Sequence, residues 1–81
     1  MTQRERELKE KLKLQKKFGE HLAKLRQAKG FSAADLARAC EMERSSIARI
    51  ETGRINPSLF ILKKIAYSLN IELKDLFIDF K

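Results

Sequence analysis

Apolar side chains recur at helical intervals over most of the chain. Leu8, Leu12, Phe18, Leu22 and Leu25 are separated by steps of three, four or six, which predicts one helix over about residues 5–29. Glu5–Lys9, Glu7–Lys11 and Glu20–Lys24 add i,i+4 pairs in the favourable order, each worth about 0.2–0.5 kcal/mol. Leu14 lies off the stripe and Gly19 weakens its middle, so residues 1–16 form a segment open to fraying. Gly30 is the expected stop, because glycine takes the left-handed geometry beyond a helix end without Cβ strain.

Three shorter helices follow in the pattern. Ser32 caps one over about 33–40, with Leu36, Ala37 and Cys40 on one side. Another runs over about 44–52, with Ile47 and Ile50 inward and Gly53 beyond its end. Asn56-Pro57-Ser58 opens the next, the cap being either Asn56 or, one turn later, Ser58. Leu59, Leu62, Ile65, Ala66 and Leu69 make its core stripe, and Asn70, tolerant of left-handed geometry, ends it. Glu72 to Phe77 suffices for one or two more turns. There is no Val, one Pro and little period-two alternation before the final residues, so an all-α, five-helix orthogonal bundle is expected.

Composition narrows the function. With 81 residues, such a chain buries only about 60% of its unfolded surface and builds one core. No apolar run approaches the ~18 residues of a membrane span. One Cys excludes an intramolecular disulfide and suits a reducing cytoplasm. Cys40 and His21, nineteen residues apart, do not compose a zinc site, so no metal, cofactor or catalytic residue is expected. Cys40 reads as a small core residue and His21 as surface. The formal charge is +7 and unevenly placed: residues 1–29 hold ten Lys/Arg against four Glu. Such a basic half points to a polyanionic partner, or serves only solubility.

Specific residues sharpen the picture. Phe18-Gly19-Glu20-His21-Leu22, Leu25-Arg26, Lys29-Gly30-Phe31-Ser32, Leu36-Ala37, Ser45-Ser46-Ile47, Arg49-Ile50-Glu51-Thr52-Gly53, Asn56-Pro57-Ser58-Leu59 and Leu76-Phe77 stand at a characteristic spacing. In this the chain resembles the Cro/C1-type (XRE-family) helix-turn-helix domain of phage and bacterial repressors. The resemblance covers residues 17–77, leaving an N-terminal extension, 1–16, and an apolar tail, 78–81. It implies a lambda-repressor-like fold in a cytoplasmic, dimeric transcriptional regulator that binds double-stranded DNA at palindromic half-sites. A protein-interaction module on the same scaffold, an antitoxin-like subunit, is the alternative.

The resemblance also implies roles. Glu43, Arg44, Ser45, Ala48 and Arg49 occupy the outward face of the recognition helix. Arg44 and Arg49 suit guanine O6 and N7, and Ser45 either a base edge or a phosphate. Without the motif, Arg49 would lie along its own helix, paired with Glu43 or solvent. Ser32, Ala33, Arg54 and Asn56 fall at the phosphates, Ser32 and Asn56 being also plain caps. Arg26 and Glu51 would form a partly buried bridge that fixes the recognition helix.

Three positions depart from the family. Glu41 replaces a turn glycine and Glu43 a capping Ser or Thr. Ala33 stands where the family carries Gln and brings no polar side chain. For dimerisation, Phe60, Tyr67, Ile78 and Phe80 would form an isologous patch with an extended tail; otherwise the tail folds back and Phe60 and Phe77 join the core. Residues 1–16 form a disordered basic arm, a helix carrying Leu8 and Leu12 to a second subunit, or an inert segment.

Overall fold

The computed structural model describes residues 1–80. Its elements are α1 (Gln3–Ala28), α2 (Ala33–Ala39), α3 (Arg44–Glu51), α4 (Leu59–Ser68) and a closing 3-10 helix (Leu73–Phe77). The fold is therefore all-helical, with four α-helices, and the fifth element is a tighter 3-10 segment rather than an α-helix.

The first helix starts earlier than its apolar stripe. Thr2 Oγ1 accepts from the Glu5 amide at 3.1 Å, and the Glu5 carboxylate accepts from the Thr2 amide at 3.2 Å. This reciprocal cap satisfies two amides that a helix start otherwise leaves without partners. A second such box joins Ser32 and Asp35 at the start of α2. Ser58, not Asn56, caps α4 by accepting from the Ile61 amide at 3.1 Å. Glu43 precedes α3 without a side-chain cap bond.

The four α-helices end alike. Gly30, Glu41, Gly53 and Asn70 each take a positive φ one residue beyond the C-cap. The residue after each, Phe31, Met42, Arg54 and Ile71, donates back to Arg26, Ala37, Arg49 and Ala66 at 2.8–3.1 Å. These bonds satisfy carbonyls at the helix ends and turn the chain sharply. Phe31, Met42 and Ile71 then fall against the core, whereas Arg54 stays exposed.

Leu22, Leu36, Ile47, Ile50, Ile65, Leu69 and Leu76 are the fully buried centre, drawn from every element. Cys40 is buried beside α4, its Sγ 3.3 Å from Ser68 Oγ. Leu59 is not core: it is 71% exposed. Six residues before Ile65, it lies about 120° around α4 from the centre of the stripe. Leu8, Leu12 and Leu14 are exposed too, because α1 overhangs the bundle.

The tail does not extend away. Asp79 turns at φ 62 and the Phe80 amide donates to Phe77 at 3.1 Å. Phe80 thereby meets Phe18 edge-on at 5.9 Å and His21 at 5.4 Å between ring centres. His21 is accordingly half-buried, with Nε2 enclosed.

Candidate nucleic-acid interface

A helix can present polar residues outward only if something else holds its apolar side. Ile47 and Ile50 are buried, and with them inward Arg44, Ser45, Ala48 and Arg49 are all exposed. Ser45 is three residues from Ala48 and four from Arg49, and Arg44 is four from Ala48, so they share one outward surface. Ala48, the small residue among them, lets that surface approach another body closely. Glu43 is exposed at the helix start, its carboxylate 3.4 Å from Ser45 Oγ. The ion pairs among the described residues are Arg26–Glu51, Arg38–Asp35 and Lys74–Glu72. Arg44 and Arg49 take part in none of them, and Arg49 does not pair with Glu43.

The orientation of α3 comes from α1. Arg26 Nε donates to Glu51 Oε2 at 2.7 Å and Nη2 to Oε1 at 3.0 Å, a two-point fork. Nη1 donates to the Phe31 carbonyl at 2.8 Å, tying in the α1–α2 turn. Both side chains are only 11% exposed. The Glu51 hydrogen bond raises the Arg26 pKa above its ordinary value, against the desolvation that would lower it.

Three further contacts, not evident from the periodicity, complete this seat. A Cβ at Gly19 would collide with the backbone carbonyls of Ile50 and Glu51, so α1 crosses the end of α3 where only glycine fits. One turn earlier, Gln15 is buried and its Nε2 donates to the Gly53 carbonyl at 3.0 Å. A Cβ at Gly53 would come within 2.6 Å of Lys16 Cα. The available signal was Gly19 itself: a glycine inside a helical pattern is a common mark of close approach. Gln15 carried no signal, since a polar residue beside an apolar stripe reads as surface.

Around this helix the other expected residues scatter by chemistry. Ser32 is exposed but its hydroxyl accepts from the Asp35 amide at 3.0 Å. The Asp35 carboxylate accepts from the Ser32 amide at 2.9 Å, which pulls its pKa below the ordinary value. The start of α2 thus carries its own anion, and half-buried Ala33 adds no polar group. Arg54 and Asn56 are both exposed in the α3–α4 loop. Phe60 and Tyr67 are 71% and 81% exposed on the outer side of α4, and Ile78 is exposed near the tail. Phe80 is excluded from that patch, because the turn at Asp79 packs it within its own subunit.

Comparison with known proteins agrees with this arrangement. A family described as a helix-turn-helix domain matches residues 17–69. The control protein C.MunI of a Mycoplasma species is 39% identical over 64 residues, covering 78% of this chain and 86% of that protein. The HTH-type transcriptional regulator DdrOP3 of Deinococcus deserti is 37% identical over 60 residues, or 74% of this chain, which spans only 46% of that regulator. Among solved structures, the restriction-modification controller protein C.AhdI of Aeromonas hydrophila superposes with a TM-score of 0.74 at 42% identity. The match covers 76% of this chain and 94% of that one.

Proposed function

The chain belongs to the Cro/C1-type helix-turn-helix regulators, and on that premise we propose that it is a sequence-specific, double-stranded DNA-binding transcriptional repressor acting as a dimer. The observation that carries this reading is the outward face of α3: Arg44, Ser45, Ala48 and Arg49 exposed together on a helix clamped from behind by Arg26–Glu51. A helix fits the roughly 12 Å major groove, and a guanidinium there forks onto guanine O6 and N7. Glu43, at the leading end, is suited to accept from cytosine N4 and repels phosphate, so it serves selectivity rather than affinity.

Backbone grip falls to Arg54 and Asn56, one turn beyond the recognition helix. Ser32 contributes little beyond its cap, because Asp35 already answers the start of α2, and Ala33 contributes only close approach. Occupying an operator needs no catalysis. The likeness to C.MunI, a control protein, and to C.AhdI, a controller protein, supports a regulator of the same kind.

Dimerisation through the exposed side of α4 supports binding to two-fold operators. Phe60 and Tyr67, seven residues apart, form an aromatic stripe that a second copy would cover isologously, with Ile78 at its margin.

Selection of bound sites from random duplex DNA tests the reading. A consensus emerges with two related half-sites, and Arg44→Ala relaxes preference at one position by about 1–3 kcal/mol. Arg54→Ala instead weakens all sequences alike. Failure to enrich any sequence, together with no binding at low salt, overturns the proposal and favours a protein-binding module.

A further inference from the structure

Up to Leu14, α1 contributes no buried side chain to the core or to the helix-turn-helix. It is nonetheless a continuous helix, closed at its start by the Thr2–Glu5 box, and not a frayed arm. Residues 3–17 carry seven Lys/Arg against three Glu, for a net +4. All seven cations are exposed, and none joins an ion pair among the described residues.

Their position is defined by contacts already described. The Lys16 backbone abuts Gly53, and Gln15 bonds the Gly53 carbonyl, so the overhang leaves the bundle beside the loop that bears Arg54 and Asn56. Lys9, Lys13 and Lys16 fall at i, i+4 and i+7 and share one side of the helix. They span about 10.5 Å along its axis, close to the rise of three base pairs at about 3.4 Å each.

We propose that this overhang is a second DNA-contacting surface: Lys9, Lys13 and Lys16 continue the cationic edge begun by Arg54 and take backbone phosphates beyond those reached by α2, α3 and their turn. The inference rests on the DNA-binding reading above. Rigidity matters here, because an arm already helical loses little conformational entropy on binding. Such contacts carry no sequence information; they lengthen the footprint and steepen its salt dependence. They also offset the two acids, Asp35 and Glu43, that stand near the groove face.

The test uses the full chain on a mixed-sequence duplex. A Lys9→Gln, Lys13→Gln, Lys16→Gln triple variant keeps good helix formers in place. Its log–log salt slope should become shallower by about 0.9 for each phosphate no longer neutralised, with affinity falling equally for operator and random DNA. Single Lys→Gln variants should each remove about one such increment, and circular dichroism should match the parent. A triple variant that retains parental helicity and an unchanged salt slope overturns this inference alone, and assigns the edge to an acidic protein or to solubility. If the parent itself shows no salt-dependent binding, the DNA-binding reading fails with it.

Discussion

Glu41 stands at φ 55 just beyond the end of α2. A non-glycine residue in that conformation costs about 1–2 kcal/mol. Replacing it with glycine also loosens the unfolded chain, which takes back about 0.4–1 kcal/mol. Glu41→Gly should therefore stabilise the protein by up to about 1 kcal/mol in urea denaturation, without altering DNA preference. Gly19 predicts the opposite sign. Its missing Cβ makes room for the Ile50 and Glu51 carbonyls, so Gly19→Ala should destabilise by about 1–3 kcal/mol despite alanine's better helix propensity. Asp35 adds a pH dependence. Its carboxyl is held below the ordinary value of 3.8 by the Ser32 amide, so its contribution is complete above that value and disappears as the pH falls through the lowered one. The stability gap between the parent and Asp35→Asn should accordingly close in thermal melts taken at progressively lower pH. The left-handed stop at Asn70 was legible from residue type alone. That of Glu41 was not, because nothing in a glutamate announces a positive φ and a reshaped turn was equally open to the sequence.

At the level of elements, α3 is too short to hold itself. Eight residues make an isolated helix marginal in water, so its shape and aim depend on what it leans against. Arg26 and Glu51 are the polar part of that support, at 2.7 and 3.0 Å and largely out of solvent. Removing one partner strands the other charge in a partly desolvated place, which costs up to about 3–5 kcal/mol. Glu51→Gln should show that loss in equilibrium unfolding and weaken DNA binding together. A neutral result in both measurements would remove the bridge from the account of helix orientation. The start of α2 is readable from Ser32 and the ends of α3 and α4 from Gly53 and Asn70, whereas the start of α4 stays open in the sequence between Asn56 and Ser58. Thr2 and Glu5 mark the start of α1, whereas its apolar stripe begins only at Leu8. Leu59 misled for a related reason: it belongs to the stripe by residue type but stands about 120° from its centre.

The whole molecule measures 42 × 25 × 20 Å, and its long axis reflects α1, about 39 Å from end to end. Everything before Gln15 lies outside the core. Removing residues 1–13 should therefore change unfolding free energy by no more than about 1 kcal/mol, measurable by denaturant titration. The exposed side of α4 carries an aromatic stripe, Phe60 and Tyr67. Phe60→Ser with Tyr67→Ser should shift the protein to monomers in sedimentation while leaving its melting curve near the parent's, since both side chains are exposed. Monomeric behaviour of the parent at tens of micromolar would remove the dimer from the proposal.

Helical period, capping residues and the Arg-Ile-Glu-x-Gly motif were enough to determine the all-helical class, the order of the helices and the outward set on α3, because each depends on neighbours within a few positions. Tertiary structure alone decided that Phe80 turns inward, that Gln15 is buried, and that the α1 overhang runs past the Arg54 loop. Those outcomes depend on which surfaces meet across distant stretches of chain, and a local pattern holds no record of a remote partner.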